Sequence, residues 1–271
     1  MGQQHRRTGG AVVTAAAVGL MAVATGCSGG GAVADDRRAE DAVDAVRKSA
    51  DALVRAGTSK ARTSMEMASG GTRVTIRGKG SYDFARQVGR YVVVLPKDPA
   101  GAEEHRPITE LMASGALYMK NRGAGVPADK WVRIDTTTLR DGNLVTGGAT
   151  DPLAAAELLR GVSKASYVGE TTVAGVAVRH YRGIADLPRA AKAASEGQRR
   201  ALSAAAKGFS KDEIPFEAYL DEEGRLRKLR QQFSVANAEV ASTTLLFDFG
   251  VRVDVRLPAS EDIFAGKIAE K

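Results

Sequence analysis

Hydrophobic positions in this chain follow three different rhythms. From Ala11 to Val23 they run nearly unbroken, interrupted only by Thr14 and Gly19. From Asp35 to Ala56 they recur at Val43, Val46, Ala50, Leu53 and Val54, the spacing of a helix with one apolar face. Arg37, Arg38, Asp41, Asp44, Arg47, Lys48 and Asp51 take the other face, Asp35 or Asp36 can cap the start, and Gly57 ends it.

Beyond Gly57 the period drops to two. In 60–69, Ala61, Thr63, Met65 and Met67 alternate with Arg62, Ser64, Glu66 and Ala68; in 72–84, Val74 and Ile76 alternate with Arg73, Thr75, Arg77 and Lys79. Such alternation predicts strands with one apolar and one polar face, here joined by a hairpin at Gly70-Gly71. Further strands are predicted over 87–95, 106–112, 116–121 and 130–134. Later ones fall at 166–173 paired with 176–184, 216–220 paired with 225–235, 242–249 and 252–256. A short helix is predicted over 152–160, opened by Asp151 and closed by Gly161. An alanine-rich helix is predicted over 187–208, capped by Asp186, with Gly197 as a possible break. Strands follow one another through tight turns, so the predicted class is α+β with an antiparallel sheet.

The first apolar run is too short to span a bilayer as a stable anchor, and Arg6 and Arg7 precede it with no acidic residue before Asp35. Small residues follow, Ala24-Thr25-Gly26, and then Cys27, the sole cysteine of 271 residues. The arrangement resembles the lipobox of bacterial lipoproteins, with Ala24 where leucine is usual. It implies removal of residues 1–26 and a diacylglyceryl group on the Cys27 thiol. Two acyl chains give stable anchoring, and lipidation disposes of a lone thiol in an oxidising compartment. The alternative is an ordinary secretory leader with a chance cysteine. Arg6-Arg7 lacks the apolar residues that normally follow a twin-arginine signal. Residues 27–34 read as a flexible tether and 35–271 as a single domain. The expected location is extracytoplasmic, on the outer face of the cell membrane.

Composition narrows the picture further. The net charge is +7, with Lys/Arg and Asp/Glu interspersed and no basic run interleaved with aromatics, so a nucleic-acid partner is not expected. Mild attraction to anionic head groups or wall polymers is.

Three segments carry a family likeness: 116–120 (ALYMK) with 130–135 (KWVRID); 167–170 (YVGE) with 175–183 (GVAVRHYRG); and 215–221 (PFEAYLD) with 224–228 (GRLRK). Together they resemble the LolA-like superfamily and, within it, the LppX/LprG-type lipoproteins of high-GC Gram-positive bacteria, over about residues 35–257. The resemblance implies a strongly curved, unclosed antiparallel half-barrel with helices on its concave face and an apolar cavity between the layers. Members shuttle lipids or lipoglycans, while relatives regulate envelope-stress signalling. No invariant catalytic residue carries over. Met65, Met67, Val74, Ile76, Val93, Leu117 and Met119 alternate on neighbouring predicted strands and are candidates to line an acyl-chain cavity, methionine adapting well to varied chains. The same pattern equally describes a filled core. The alanine-rich helix is a candidate lid.

Catalytic and metal chemistry finds no foothold. His105 and His180 have no paired spacing, and neither a Gly-x-Ser-x-Gly elbow nor Ser-x-x-Lys occurs. Ser203 and Lys207 share helical spacing without a third partner. Glu103-Glu104 and Glu222-Glu223 fall in predicted loops, Gly123-Ala-Gly125 lacks a strand-to-helix context, and Trp131 is expected to pack in the sheet. The expectation is a monomeric, non-enzymatic lipoprotein without cofactor or metal that binds an amphiphile. The alternative is a sensor or regulatory lipoprotein acting on a membrane signalling partner.

Overall fold

The computed structural model describes residues 30–69, 72–96, 106–121, 125–146, 149–235 and 238–266. The leader, Cys27, the Gly70-Gly71 turn, Glu103-Glu104, His105 and Gly123 lie outside them.

One eleven-stranded antiparallel sheet organises the described residues. Its strands are β1 (Thr58–Ser69), β2 (Thr72–Asp83), β3 (Val88–Val94), β4 (Ile108–Ala113), β5 (Ala116–Lys120) and β6 (Val132–Asp135), then β7 (Val162–Val173), β8 (Val176–Asp186), β9 (Glu213–Leu220), β10 (Leu226–Val235) and β11 (Ala238–Phe247). The spatial order is β6-β5-β4-β3-β2-β1-β11-β10-β9-β8-β7, so the first and last strands meet in the middle and β6 and β7 form the free edges. The sheet is curved and unclosed, with the helices on its concave face, as expected from sequence.

The alternating residues point as their period demands. Met65 stands opposite Ile76, and Met67 opposite Val74, on the inner face of β1 and β2. Tyr82 and Tyr91 are fully buried, each lying over a glycine of the neighbouring strand, Gly89 and Gly80. A Cβ at Gly89 would stand 2.4 Å from the Tyr82 ring, and one at Gly80 would stand 2.8 Å from that of Tyr91, so both rings need the bare backbone.

The N-terminal helix departs from expectation in two ways. It begins at Gly30, inside the stretch read as tether, and Asp35 and Asp36 lie within it rather than at its cap. It also divides, into α1 (Gly30–Arg47) and α2 (Ser49–Ala56). Ser49 Oγ donates to the Val46 carbonyl at 2.7 Å, a back-bond of the kind that bends helices. Gly57, at φ +79°, closes α2 through its N–H to the Leu53 and Val54 carbonyls.

Helix α3 (Pro152–Leu158) starts where predicted: Asp151 Oδ1 accepts from the Leu153 and Ala154 N–H groups at 2.8 and 3.1 Å. The alanine-rich segment forms α4 (Leu187–Ala193) and α5 (Glu196–Gly208). The break falls at Ala194-Ser195, not Gly197, because the Ser195 N–H is held by the buried Glu157 carboxylate at 2.9 Å. Gly197 lies instead under the end of the Gln87 side chain, where a Cβ would come within 2.2 Å of Oε1 and oblige that amide to swing aside.

Segment 252–256 is not a strand. The chain turns after β11 through Asp248 (φ +48°) and Gly250 (φ +81°), and both sides of β1 are already occupied. Thr58 instead holds the passing chain, donating from Oγ1 to the Val251 carbonyl at 2.7 Å. The unpredicted connection after β6, described over 136–146 and 149–151, dips into the concave face, where Leu144 and Ala149 are fully buried. Asp141 organises it by accepting from the N–H groups of Asn143, Val145 and Thr146.

Candidate functional site

The seven residues proposed from sequence as cavity lining share the inner face of β1, β2, β3 and β5. Met65, Val93, Leu117 and Met119 are buried within the core, among side chains that include Leu53, Leu144, Leu153 and Leu158. Met67 and Ile76 are partly buried against that core, and Val74 is half-buried. Met67 also borders a 320 Å³ depression at the end of β1 and β2, otherwise lined mainly by polar groups such as Glu66, Arg73, Arg230 and Glu239.

A roomier groove of 710 Å³ opens elsewhere, between α1 and the inner face of β7 and β8. Its size is that of a small-molecule site. Ala39, Ala42 and Ala45 line it from α1, three residues apart and therefore on one stripe of the helix. Side chains this small leave space between helix and sheet. From the sheet come Ala165, Tyr167 and Tyr181, with Arg38, Asp41, Ser166 and Arg179 supplying polarity. On the other flank of α1, a 570 Å³ groove shares Ala39 and Ala165, so space runs along both sides of the helix.

Two devices set this geometry. Arg47, at the end of α1, donates from Nε and Nη2 to the Val162 carbonyl at 3.1 and 2.6 Å, pinning the helix to the start of β7. Further along, the register slips between Tyr167, opposite Tyr181, and Gly169, opposite His180. Val168 is the extra residue of this bulge. It is 44% exposed, and Tyr167 beside it, at 50%, gives the groove an aromatic lip on a free edge. The Tyr167 and Tyr181 rings lie 5.7 Å apart, tilted at 59°. Burial pushes the Tyr181 phenol up, so the groove wall is uncharged there at neutral pH. Small apolar side chains along the groove, an aromatic lip and mixed charge at the rim suit a molecule with an apolar tail and a polar head.

The remaining candidates from sequence have structural surroundings. His180 is half-buried on β8, stacked on Tyr219 at 4.2 Å with Glu217 Oε2 4.0 Å away. Burial lowers its pKa more than Glu217 raises it, so the imidazole is neutral at pH 7. Trp131 lies at the rim of the sheet, bridged to Ile263, with Lys120 Nζ 5.4 Å from its ring. The candidate lid, α4 and α5, is docked through Leu187, Ala190, Ala191, Gln198, Ala201, Leu202 and Ala205, all buried. Arg160 ties the layers together, reaching Glu157 Oε2 at 2.8 Å and Asp51 Oδ1 at 2.5 Å. No described helix is long and apolar enough to cross a membrane.

The α1 stripe escaped the sequence reading because Ala39, Ala42 and Ala45 are too small to register as an apolar face. Tyr167 and Tyr181 are fourteen residues apart in sequence, and only the hairpin register brings their rings together.

No protein-family model matches the chain, and no curated protein matches it in sequence. Similar solved structures include LprF from Mycobacterium bovis, at 13% identity and a TM-score of 0.44 over 82% of this chain and 98% of that one. The lipoprotein LppX from Mycobacterium tuberculosis is similar at 10% identity and a TM-score of 0.44, covering 80% and 99%. A LolA-superfamily protein from Nitrosomonas europaea follows at 9% identity and a TM-score of 0.34, covering 77% and 94%.

Proposed function

We propose that the protein is a membrane-anchored extracytoplasmic lipoprotein, non-enzymatic, that binds or carries an amphiphilic lipid or lipoglycan. The observation behind this reading is the groove between α1 and the β7–β8 edge, with alanines on its walls, a tyrosine lip and both charge signs at its rim. An acyl chain lies along the Ala39–Ala42–Ala45 stripe, and its polar head meets Arg38, Asp41 and Arg179. Anchoring rests on the leader and the position of Cys27. Met65, Met67, Val74, Ile76, Val93, Leu117 and Met119 are the reserve lining, reached only if the layers part.

The purified chain is expected to take up a fluorescent fatty acid and to carry acyl-containing material in native mass spectrometry. Tyr167→Asp, a change at an exposed lip position, places a charge at the apolar entrance and should weaken uptake at least five-fold without lowering Tm. Uptake unaffected by Tyr167→Asp but lost in Met65→Gln would move the ligand to the interior. No uptake by the unaltered chain would overturn the reading.

A further inference from the structure

The outer, convex face of the sheet carries cations that the strand register sets side by side. Lys228, Leu245, Arg62, Lys79 and Val92 are successive cross-strand neighbours from β10 to β3. The adjoining row reads Arg230, Thr243, Ser64, Arg77 and Val94. Arg62 therefore stands directly opposite Lys79, their Cβ atoms about 5 Å apart, an arrangement of like charges that disfavours the sheet. From Lys228 to Lys79 the row spans three strand spacings, roughly 14 Å.

Nothing within the rows offsets this charge. Arg77, Lys79 and Arg230 form no ion pair with another described residue. Arg62 lies over the Phe247 ring at 5.0 Å, and Lys228 over Tyr219 at 4.9 Å. The nearby carboxylates flank the rows: Glu217 on β9 stands directly opposite Arg230, Glu66 and Glu239 lie further towards the β1–β2 and β10–β11 turns, and Asp248 takes Lys60 at 2.8 Å. Amid the cations, Val92, Val94 and Leu245 floor a 390 Å³ depression, with Val94 48% exposed.

We propose that this convex face docks on an anionic lipid bilayer. Lipid phosphates meet Arg62, Arg77, Lys79, Lys228 and Arg230, and the valines and Leu245 touch the acyl boundary beneath them. The apolar floor favours a bilayer over a nucleic acid: it offers no aromatic face for a base to stack on, Phe247 being covered by Arg62. A surface cation next to anionic lipid contributes roughly five-fold in partitioning, and the attraction falls with salt.

The test uses the full chain carrying Cys27→Ser, so that no acyl anchor contributes, with vesicles of phosphatidylcholine alone or mixed with phosphatidylglycerol. Binding should require phosphatidylglycerol, decline with added salt, and weaken roughly twenty-five-fold in Arg77→Gln/Lys79→Gln. Lys192→Gln/Lys207→Gln removes the same charge from exposed positions on α4 and α5 and should have little effect. Equal binding to both vesicles, equal loss in the two double variants, or displacement by millimolar inorganic phosphate at constant ionic strength would each overturn the proposal. Fatty-acid uptake is read separately, so failure here leaves the groove untouched.

Discussion

Tyr82 on β2 donates its hydroxyl to Asp151 Oδ2 at 3.1 Å, inside the core, while the other oxygen of the same carboxylate caps α3. One acidic side chain thus fixes a helix start to the sheet. Burial, opposed by those hydrogen bonds, holds the Asp151 carboxyl above its ordinary value of 3.8. Burial, with Asp151 beside it, also pushes the Tyr82 phenol well up, keeping it a donor at neutral pH.

A pH dependence follows from that shift. The folded chain holds the Asp151 proton more tightly than the unfolded chain, so this stabilisation is complete below 3.8 and is lost as pH rises through the folded value. Asparagine caps a helix as well as aspartate but does not titrate. Urea unfolding of Asp151→Asn should therefore gain on the unaltered chain between about pH 3 and pH 7. A constant difference across that range would refute the assignment. Tyr82→Phe should lower stability by about 1–3 kcal/mol, leaving a buried acceptor without its donor.

Arg160 carries a second prediction. Glu157 is buried at its other end by α3 and the α4–α5 break, whereas Asp51 is about half-exposed. Arg160→Met leaves the Glu157 carboxylate with only the Ser195 N–H, and should cost about 3 kcal/mol in urea unfolding. Asp51→Asn, losing a pair open to solvent, should cost less than about 1 kcal/mol. Similar losses for both would show that the arginine's value lies in packing.

Cell fractionation tests the anchor. The unaltered chain should partition with membranes, and its mature form should begin at a diacylglyceryl-modified Cys27. Cys27→Ser should shift it towards the soluble fraction, with residual membrane association sensitive to salt. Unchanged, salt-resistant association would refute lipid anchoring.

Much of this architecture was legible in the sequence because period-two alternation is a local signal. β1 and β2 were readable down to their pairing: a turn at Gly70-Gly71 places Arg62 opposite Lys79, as the register has it. The connection after β6 was not readable, because Leu144 and Ala149 are buried by the tertiary path and not by any repeat. Segment 252–256 alternates like a strand yet has no free edge of β1 to join, a fact fixed by strand order alone. Whether inner-face methionines border a cavity or a core depends on what the opposite layer brings. Leu53, Leu144, Leu153 and Leu158 belong to the same buried cluster as Met65 and Met119.

The open seam of the sheet gives α1 the geometry of a lever. Its fulcrum is Arg47 on the Val162 carbonyl, at the end away from Cys27, and its long arm runs back along the groove towards the residue expected to hold the lipid. β7 has a strand partner on one side only, so lifting that arm widens the groove without breaking a single strand-to-strand hydrogen bond.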